Sequence, residues 1–302
     1  MIRQKDGFSG ERTIVLPKMV IEQQRLDPLV SSLYITDIGY FPHAENHYRE
    51  RTVPIAENVL IYCAVGKGYY RLDGQEYSVR QNQYFILPAG RPHAYWSDSH
   101  EPWTIYWIHF SGEHSQYYIE NASTPKDVRP GLTSRISDRN SIFEEIFATI
   151  DSGYTQENLR YASSLLHYYL GSMRFLLQYR KAESKEDKLT GDTLTGAAIH
   201  YMRENLEGRL SLDDLATYLG YSVSHFSAAF KRQTGQSPLN YFNSMKMDRA
   251  AELLRETQMN INQICHKVGI ADCYYFSRLF RKTFGMSPSA YRSQEVGSIN
   301  SL

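Results

Sequence analysis

The last third of the chain repeats itself. Sliding residues 212–241 along the sequence by about 50 positions brings them into register with residues 261–291. Leu215, Leu219 and Gly220 recur as Ile264, Val268 and Gly269. Phe226, Phe230, Lys231, Gly235, Ser237, Pro238 and Tyr241 recur as Phe276, Phe280, Arg281, Gly285, Ser287, Pro288 and Tyr291, with one residue inserted after the second copy's first glycine. Each copy reads as a short apolar-periodic helix, a reversal at glycine, a second helix closed by glycine, and a Ser-Pro pair opening a further helix. Glycine alone takes positive φ cheaply, so the reversals belong at Gly220 and Gly269. Two such units in register predict an all-α region built on two helix-turn-helix motifs.

With Phe226/Phe230 and Phe276/Phe280 turned inward at i and i+4, the helical period sends other side chains out. Ser224, Ser227, Ala228 and Lys231 face outward in the first copy, and Tyr274, Ser277, Arg278 and Lys282 in the second. Such faces fit successive major grooves of double-stranded DNA. Arg278 can give two hydrogen bonds to the O6 and N7 of a guanine, whereas the first copy offers shorter readers. Lys231, Arg232, Arg281 and Lys282 suit phosphates, as do the backbone N–H groups after Ser237 and Ser287. Taken singly, each cation also fits an ordinary solvated face. Bulk charge lends nothing, since 33 basic and 33 acidic side chains cancel.

Ahead of the repeat the pattern is different. Val59–Val65, Gly68–Leu72, Gln75–Val79, Tyr84–Leu87 and Trp103–Phe110 read as short strands, with Asp73-Gly74 suited to a hairpin and Pro88 to Pro92 unable to continue a central strand. Residues 30–120 therefore predict a small antiparallel barrel. From Ser141 the period shifts: a short helix to about Ile150 precedes one in which Leu159, Ala162, Leu166, Tyr169, Met173, Leu176 and Leu177 recur at threes and fours. That stripe either packs on the barrel or forms a two-fold dimer seam. Residues 181–194, nearly free of large apolar groups, read as a linker. The organisation expected is thus α+β in two domains: 1–180, a linker at 181–194, an all-α domain at 195–293 and a tail at 294–302.

The C-terminal hundred residues resemble the AraC/XylS family of bacterial regulators. The resemblance is carried by Leu212-x2-Leu215-Ala216-x2-Leu219-Gly220-Tyr221-Ser222 and Phe226-x3-Phe230-Lys231, then by Gly269-x6-Phe276-Ser277-Arg278-x-Phe280-Arg281-x2-Phe284-Gly285-x-Ser287-Pro288-x2-Tyr291-Arg292. It implies seven helices, with a long one over about Pro238–Thr257 joining the motifs, and a transcription regulator, an activator working with RNA polymerase. The front part is similar to the family's arabinose-type sensor, a cupin-like barrel followed by a helical dimerisation pair. That likeness rests on Arg51-x10-Tyr62, Gly66-Lys67-Gly68, Leu87-Pro88-Ala89, Pro92-His93-x-Tyr95 and Trp103-x3-Trp107.

Such a sensor holds a small molecule, usually a sugar, with an arginine, a tyrosine and a tryptophan, here Arg51, Tyr95 and Trp107. An arginine fork can hold vicinal hydroxyls and an indole face can stack on a pyranose. Strand alternation puts Trp103, Ile105, Trp107 and His109 on one face. Ile105 occupies a position that can carry histidine in the family, so arabinose itself is not implied. His47 and Arg49 alternate onto the face of Arg51 and can replace that polarity, and His93 sits in the Pro-His turn. The bland alternative is that the tryptophans fill a small barrel's core and Arg51 makes an inter-strand ion pair.

A metal-dependent cupin enzyme fused to a DNA-binding domain is the rival reading, prompted by His43, His47, His93 and His100. No His-x-His with a nearby glutamate supports it. Cys63, Cys265 and Cys273 form no CxxC pair; an odd, scattered set suits a reducing compartment, and argues against the four-cysteine zinc site of DNA-repair methyltransferases fused to the same DNA-binding domain. With no signal-peptide pattern and no run of about 18 apolar residues, the expectation is a cytoplasmic homodimer with no membrane, metal or cofactor requirement.

Overall fold

A computed structural model describes residues 3–128, 134–181 and 194–299, which fall into two compact units, one up to residue 181 and the other from residue 194. The linker expected at 181–194 lies almost wholly outside the described residues.

The first unit is built on ten antiparallel strands: β1 (Arg12–Val15), β2 (Tyr34–Phe41), β3 (Tyr48–Arg51), β4 (Asn58–Val65), β5 (Lys67–Leu72), β6 (Gln75–Arg80), β7 (Gln83–Leu87), β8 (His93–Ser97), β9 (Thr104–Ser111) and β10 (Lys126–Asp127). They form a six-stranded sheet ordered β1-β2-β9-β4-β7-β10 and a four-stranded sheet ordered β3-β8-β5-β6. The sheets stay open at their edges, so the expected barrel is not strictly closed. The chain instead changes sheet at corners such as Gly66, where φ is +76° and an added Cβ would stand 2.5 Å from the carbonyl oxygen of Pro102.

The larger sheet is buried on both faces. Val59, Ile61, Cys63, Ile105 and Trp107 belong to the core it shares with the smaller sheet. Leu60, Tyr62, Tyr106, Ile108 and Phe110 belong to a second core, which also holds residues of helices α3 (Ile136–Asp151) and α4 (Gln156–Arg174). The numbering leaves α1 for Lys18–Leu26, α2 for Gln116–Ile119 and α5 for Leu176–Lys181. Phe143, Ile146, Leu159, Leu166, Tyr169 and Met173 all lie in that second core, so the apolar stripe read as either packing or dimer seam packs on its own sheet. Thr155 caps α4 by accepting from the Asn158 N–H at 3.2 Å. Both oxygens of Glu144 on α3 take 2.8 Å hydrogen bonds from Arg12, fastening β1 to the helical layer.

The described residues of the second unit form seven helices, the number the resemblance implies: α6 (Leu194–Glu204), α7 (Leu212–Leu219), α8 (Val223–Thr234), α9 (Pro238–Glu256), α10 (Ile261–Lys267), α11 (Cys273–Phe284) and α12 (Pro288–Ile299). Phe226 and Phe230 are fully buried in one core, Phe276 and Phe280 in another. The long helix α9 serves both, with Phe242 in the first and Met247, Ala250 and Leu254 in the second. Between those positions Lys246 is buried, and its Nζ donates to the carbonyls of Leu206 (2.7 Å), Gly208 (2.9 Å) and Val268. The two reversals differ in tolerance. Gly220 (φ +73°) has open space around it, whereas a Cβ on Gly269 (φ +68°) would lie 2.5 Å from the Glu207 carbonyl oxygen.

The cysteines depart from expectation. Cys265 and Cys273 form a disulfide with a Cα–Cα distance of 5.7 Å, and only Cys63 is free. Linear spacing hid the pair because the reversal between α10 and α11 folds the chain back over a separation of eight positions.

Candidate functional site

The first unit encloses a cavity of about 230 Å³ whose wall includes Arg51, Tyr95, Trp107, His47 and Ile105. These five come from three strands and one loop, and their meeting is a matter of register. Strand β3 pairs with β8 so that Arg49 stands opposite Tyr95 and Arg51 opposite His93. Arg51 Nη1 donates to the Tyr95 hydroxyl at 3.1 Å and lies 3.4 Å from His93 Nε2. His93 Nδ1 is 2.9 Å from the carbonyl oxygen of Arg91. A carbonyl only accepts, so Nδ1 carries the ring proton and Nε2 is left to accept from Arg51. Burial pulls the His93 imidazole down to about 4, which keeps it neutral at neutral pH. His93 thus orients Arg51 but is not in the cavity wall; it lines a neighbouring depression with Arg71 and Asp73.

Trp107 crosses the sheet beside β2. Its register partner is Gly39, and a Cβ there would stand 2.3 Å from the indole Cζ2. Glycine therefore opens the bed on which the ring lies. The residue is 9 % exposed, and its Nε1 has no hydrogen-bond partner among the described residues. A buried indole N–H without an acceptor costs about 1–3 kcal/mol. Ile105 supplies apolar wall two positions earlier on the same strand face.

His47 is a different kind of residue. It accepts at Nδ1 from Trp103 Nε1 (3.1 Å) and sits among the rings of Phe8, Phe41 and Tyr95. Burial first, and then Arg49, pull it down to about 3. It contributes an uncharged face, with its Nδ1 already engaged. Trp103 belongs to the core, fully buried over Gly68.

The structure adds residues that sequence reading did not single out as ligand-binding. Asp37 on β2 meets His109 on β9: its Oδ2 accepts from Thr36 at 2.7 Å and lies 3.1 Å from His109 Nδ1. Burial opposes the Asp37 charge, yet the His109 contact and the Thr36 hydroxyl hold the carboxyl below the usual range. The N-terminal segment supplies Lys5, Asp6, Glu11 and Thr13 to the wall. It is held there by backbone hydrogen bonds from Gln4 to Asn46 (3.0 Å) and from Tyr48 to Gln4 (2.9 Å). Only the alternation of polar residues on β3 and β9 pointed this way, and pairs such as Asp37–His109 carry no local signal.

In the second unit, α8 and α11 present matching faces. Ser224, Ala228, Lys231 and Arg232 are exposed on α8, and Tyr274, Arg278, Arg281 and Lys282 on α11. Tyr274 is 85 % exposed. Ser227 and Ser277 do not join them. Each lies about 60° around the helix from the buried phenylalanine three positions on, and both are half-buried. Ser227 Oγ is shut away from solvent, and Ser277 Oγ donates to the Cys273 carbonyl at 2.9 Å. Ser237 and Ser287 cap the next helices by accepting from the Asn240 and Ala290 N–H groups.

Residues 37–170 match the AraC-like ligand binding domain, and residues 215–294 match a helix-turn-helix domain. The MmsAB operon regulatory protein of Pseudomonas aeruginosa is 32 % identical over 286 residues, covering 92 % of this chain and 89 % of that protein. The chain belongs to the AraC family of transcriptional regulators. Other AraC-type relatives include the raffinose operon transcriptional regulatory protein of Pediococcus pentosaceus (27 % identical) and the lactose operon transcription activator of Staphylococcus xylosus (26 %), each covering 78 % of this chain and 84 % of its own length. These names, with the paired ligand-binding and DNA-binding domains, point to an AraC-family regulator rather than an enzyme. Among the described residues no group of three or more His, Cys, Asp or Glu side chains is arranged to hold a metal, and no helix is long and apolar enough to cross a membrane.

Proposed function

We propose that this AraC-family regulator is an activator that senses a sugar in its first unit and, in the cytoplasm, recruits RNA polymerase at promoters read by its second. The observation that carries the reading is the cavity itself: a pinned arginine–tyrosine pair and the Trp107 side chain line one space, the chemistry suited to a ring of hydroxyls over a C–H face. That two relatives are named for raffinose and lactose operons supports a carbohydrate effector. The working division is residues 1–180 for sensing and dimerisation, a connector at 181–194, and 195–293 for DNA.

Base reading falls to Arg278, with Ser224, Ala228 and Tyr274 at the same interface and Lys231, Arg232, Arg281 and Lys282 on phosphates. Ser227 and Ser277 are placed at its margin. Dimerisation is supported by Tyr161, Tyr168 and Phe175, exposed at seven-residue intervals along and just past α4, on the side away from the apolar stripe. Because the N-terminal segment is part of the cavity wall, a ligand contacting Lys5 or Glu11 changes how firmly that segment is held, and with it the spacing of two DNA-binding units in a dimer.

The test is a melting-temperature screen of the purified protein against mono- and oligosaccharides, followed by footprinting with and without the best hit. A rise in Tm with an altered footprint is expected. No ligand-dependent rise, or identical footprints at saturating ligand, overturns the sensor reading.

A further inference from the structure

We propose that the effector is an acidic monosaccharide, a polyhydroxy body bearing one carboxylate, rather than a neutral sugar; this rests on the sensor reading above and specifies its ligand.

The argument is an account of which charged groups in the cavity wall are already occupied. Three cations line it: Lys5, Arg49 and Arg51. Among the described residues none of them forms an ion pair. The hydrogen-bond partners of Arg51 are neutral, the Tyr95 hydroxyl and the His93 ring, and both engage Nη1, while its charge helps hold the Asp37 carboxyl down without an ion pair. Nε and Nη2, whose N–H bonds point side by side, keep the edge of the guanidinium that receives a carboxylate with two parallel hydrogen bonds. Arg49 lies two positions earlier on β3, on the same strand face, and so adds its charge to the same side of the cavity.

The acids of the wall are in a different condition. Asp37 is engaged by His109 and Thr36. Glu11 Oε2 accepts from the Gly7 and Phe8 N–H groups at 2.7 and 2.9 Å. Asp6, like Lys5 beside it, is exposed on the N-terminal segment. His47, held neutral by burial, adds no charge to the wall. What the described residues leave without an ion-pair or hydrogen-bond acceptor is therefore the donors of Arg49 and the Nε–Nη2 edge of Arg51. A neutral sugar can meet the guanidinium donors only with single hydroxyl oxygens, whereas a carboxylate accepts two parallel charge-assisted hydrogen bonds from one guanidinium edge.

Size and shape set the rest of the molecule. A cavity of about 230 Å³ has room for one small ring. The Trp107 ring, bedded on Gly39, offers an apolar face to C–H bonds. A single free guanidinium edge matches the planar carboxylate of a uronic acid better than the tetrahedral dianion of a sugar phosphate.

The experiment is calorimetric titration of the full-length protein with D-galacturonate and D-glucuronate, with D-galactose and D-glucose as neutral counterparts, and with D-glucose 6-phosphate and inorganic phosphate. The same series is run on Arg49→Gln, whose unliganded Tm and circular dichroism establish that it is folded. We expect at least one uronate to bind about tenfold or more tightly than its neutral counterpart, and the Arg49→Gln variant to lose most of that difference. A neutral sugar that binds as tightly as its uronate overturns the acidic-ligand proposal and leaves the sugar-sensor reading standing. Tighter binding of glucose 6-phosphate or inorganic phosphate overturns the carboxylate assignment. Binding by no member of the panel counts against both. A uronate preference undiminished in Arg49→Gln overturns the role given to the β3 cations.

Discussion

Replacing Lys246 by methionine would test how the two helix-turn-helix motifs are joined. Burial pulls the Lys246 ammonium from its ordinary 10.5 down to about 7, although three backbone carbonyls receive its N–H groups. The folded value lies below the unfolded one, so between about pH 7 and 10.5 the unfolded chain holds a proton that the folded chain has released. Stability then rises with pH across that window and is lost as pH falls toward 7. Integrating the two titrations puts the penalty of the charge at about 4 kcal/mol at pH 7 and about 2 kcal/mol at pH 9. Methionine removes that penalty and leaves three buried carbonyls short of a donor, at about 1–3 kcal/mol each where water cannot reach them. Together the carbonyls cost about 3–9 kcal/mol, against the roughly 4 kcal/mol relieved at pH 7. Whatever the offset at pH 7, Lys246→Met is expected to lose about 2 kcal/mol more relative to wild type between pH 7 and pH 9. Guanidinium unfolding followed by circular dichroism reads the helical unit, while fluorescence of Trp96, Trp103 and Trp107 reports the other unit alone. A wild type and variant whose difference stays constant from pH 7 to 9 would refute the assignment of that slope to Lys246.

Three further substitutions address separate parts of the argument. Arg278→Ala should cost about 1–3 kcal/mol on the cognate site and relax preference at one base pair; uniform weakening on every sequence in a gel-shift series would make it a phosphate contact instead. Gly269→Ala should destabilise the helical unit by clearly more than Gly220→Ala, for which the backbone strain alone is about 1–2 kcal/mol, because only Gly269 faces a carbonyl at 2.5 Å; equal losses in chemical unfolding would sink the close-packing account. Cys273→Ser should remove about 2–3 kcal/mol under oxidising conditions, from a short closed loop, and far less in excess reductant; a loss that ignores reductant would mean the thiol matters only for packing.

The helical unit was legible in the sequence because its signals are local. Phe226/Phe230 and Phe276/Phe280 fix the inward face, glycines and Ser-Pro pairs fix the ends, and the repeat checks each copy against the other. The first unit was legible only where strands alternate with turn residues. Strand β2 escaped because a strand buried on both faces shows no two-residue period: seven of its eight residues are buried, polar Thr36 included. The cavity escaped in part for another reason. Arg51, Tyr95 and Trp107 follow from family likeness, but Lys5, Asp37 and His109 become neighbours through long-range register, which no window of sequence contains. Ser227 and Ser277 show the limit of a helical wheel: a position beside the buried ridge reads as outward until its neighbours are placed.

Helix α9 belongs to both cores at once, and Lys246 at its middle is bonded to backbone on either side. The two reading helices are therefore not beads on a string but teeth of one comb, their pitch set by the protein. A promoter that keeps both recognised segments but gains one base pair between them would turn the second by about 35° and move it along the axis, at 10–10.5 base pairs per turn. The comb offers no hinge to follow. Spacing within each half-site becomes part of the message, as binding as the bases themselves.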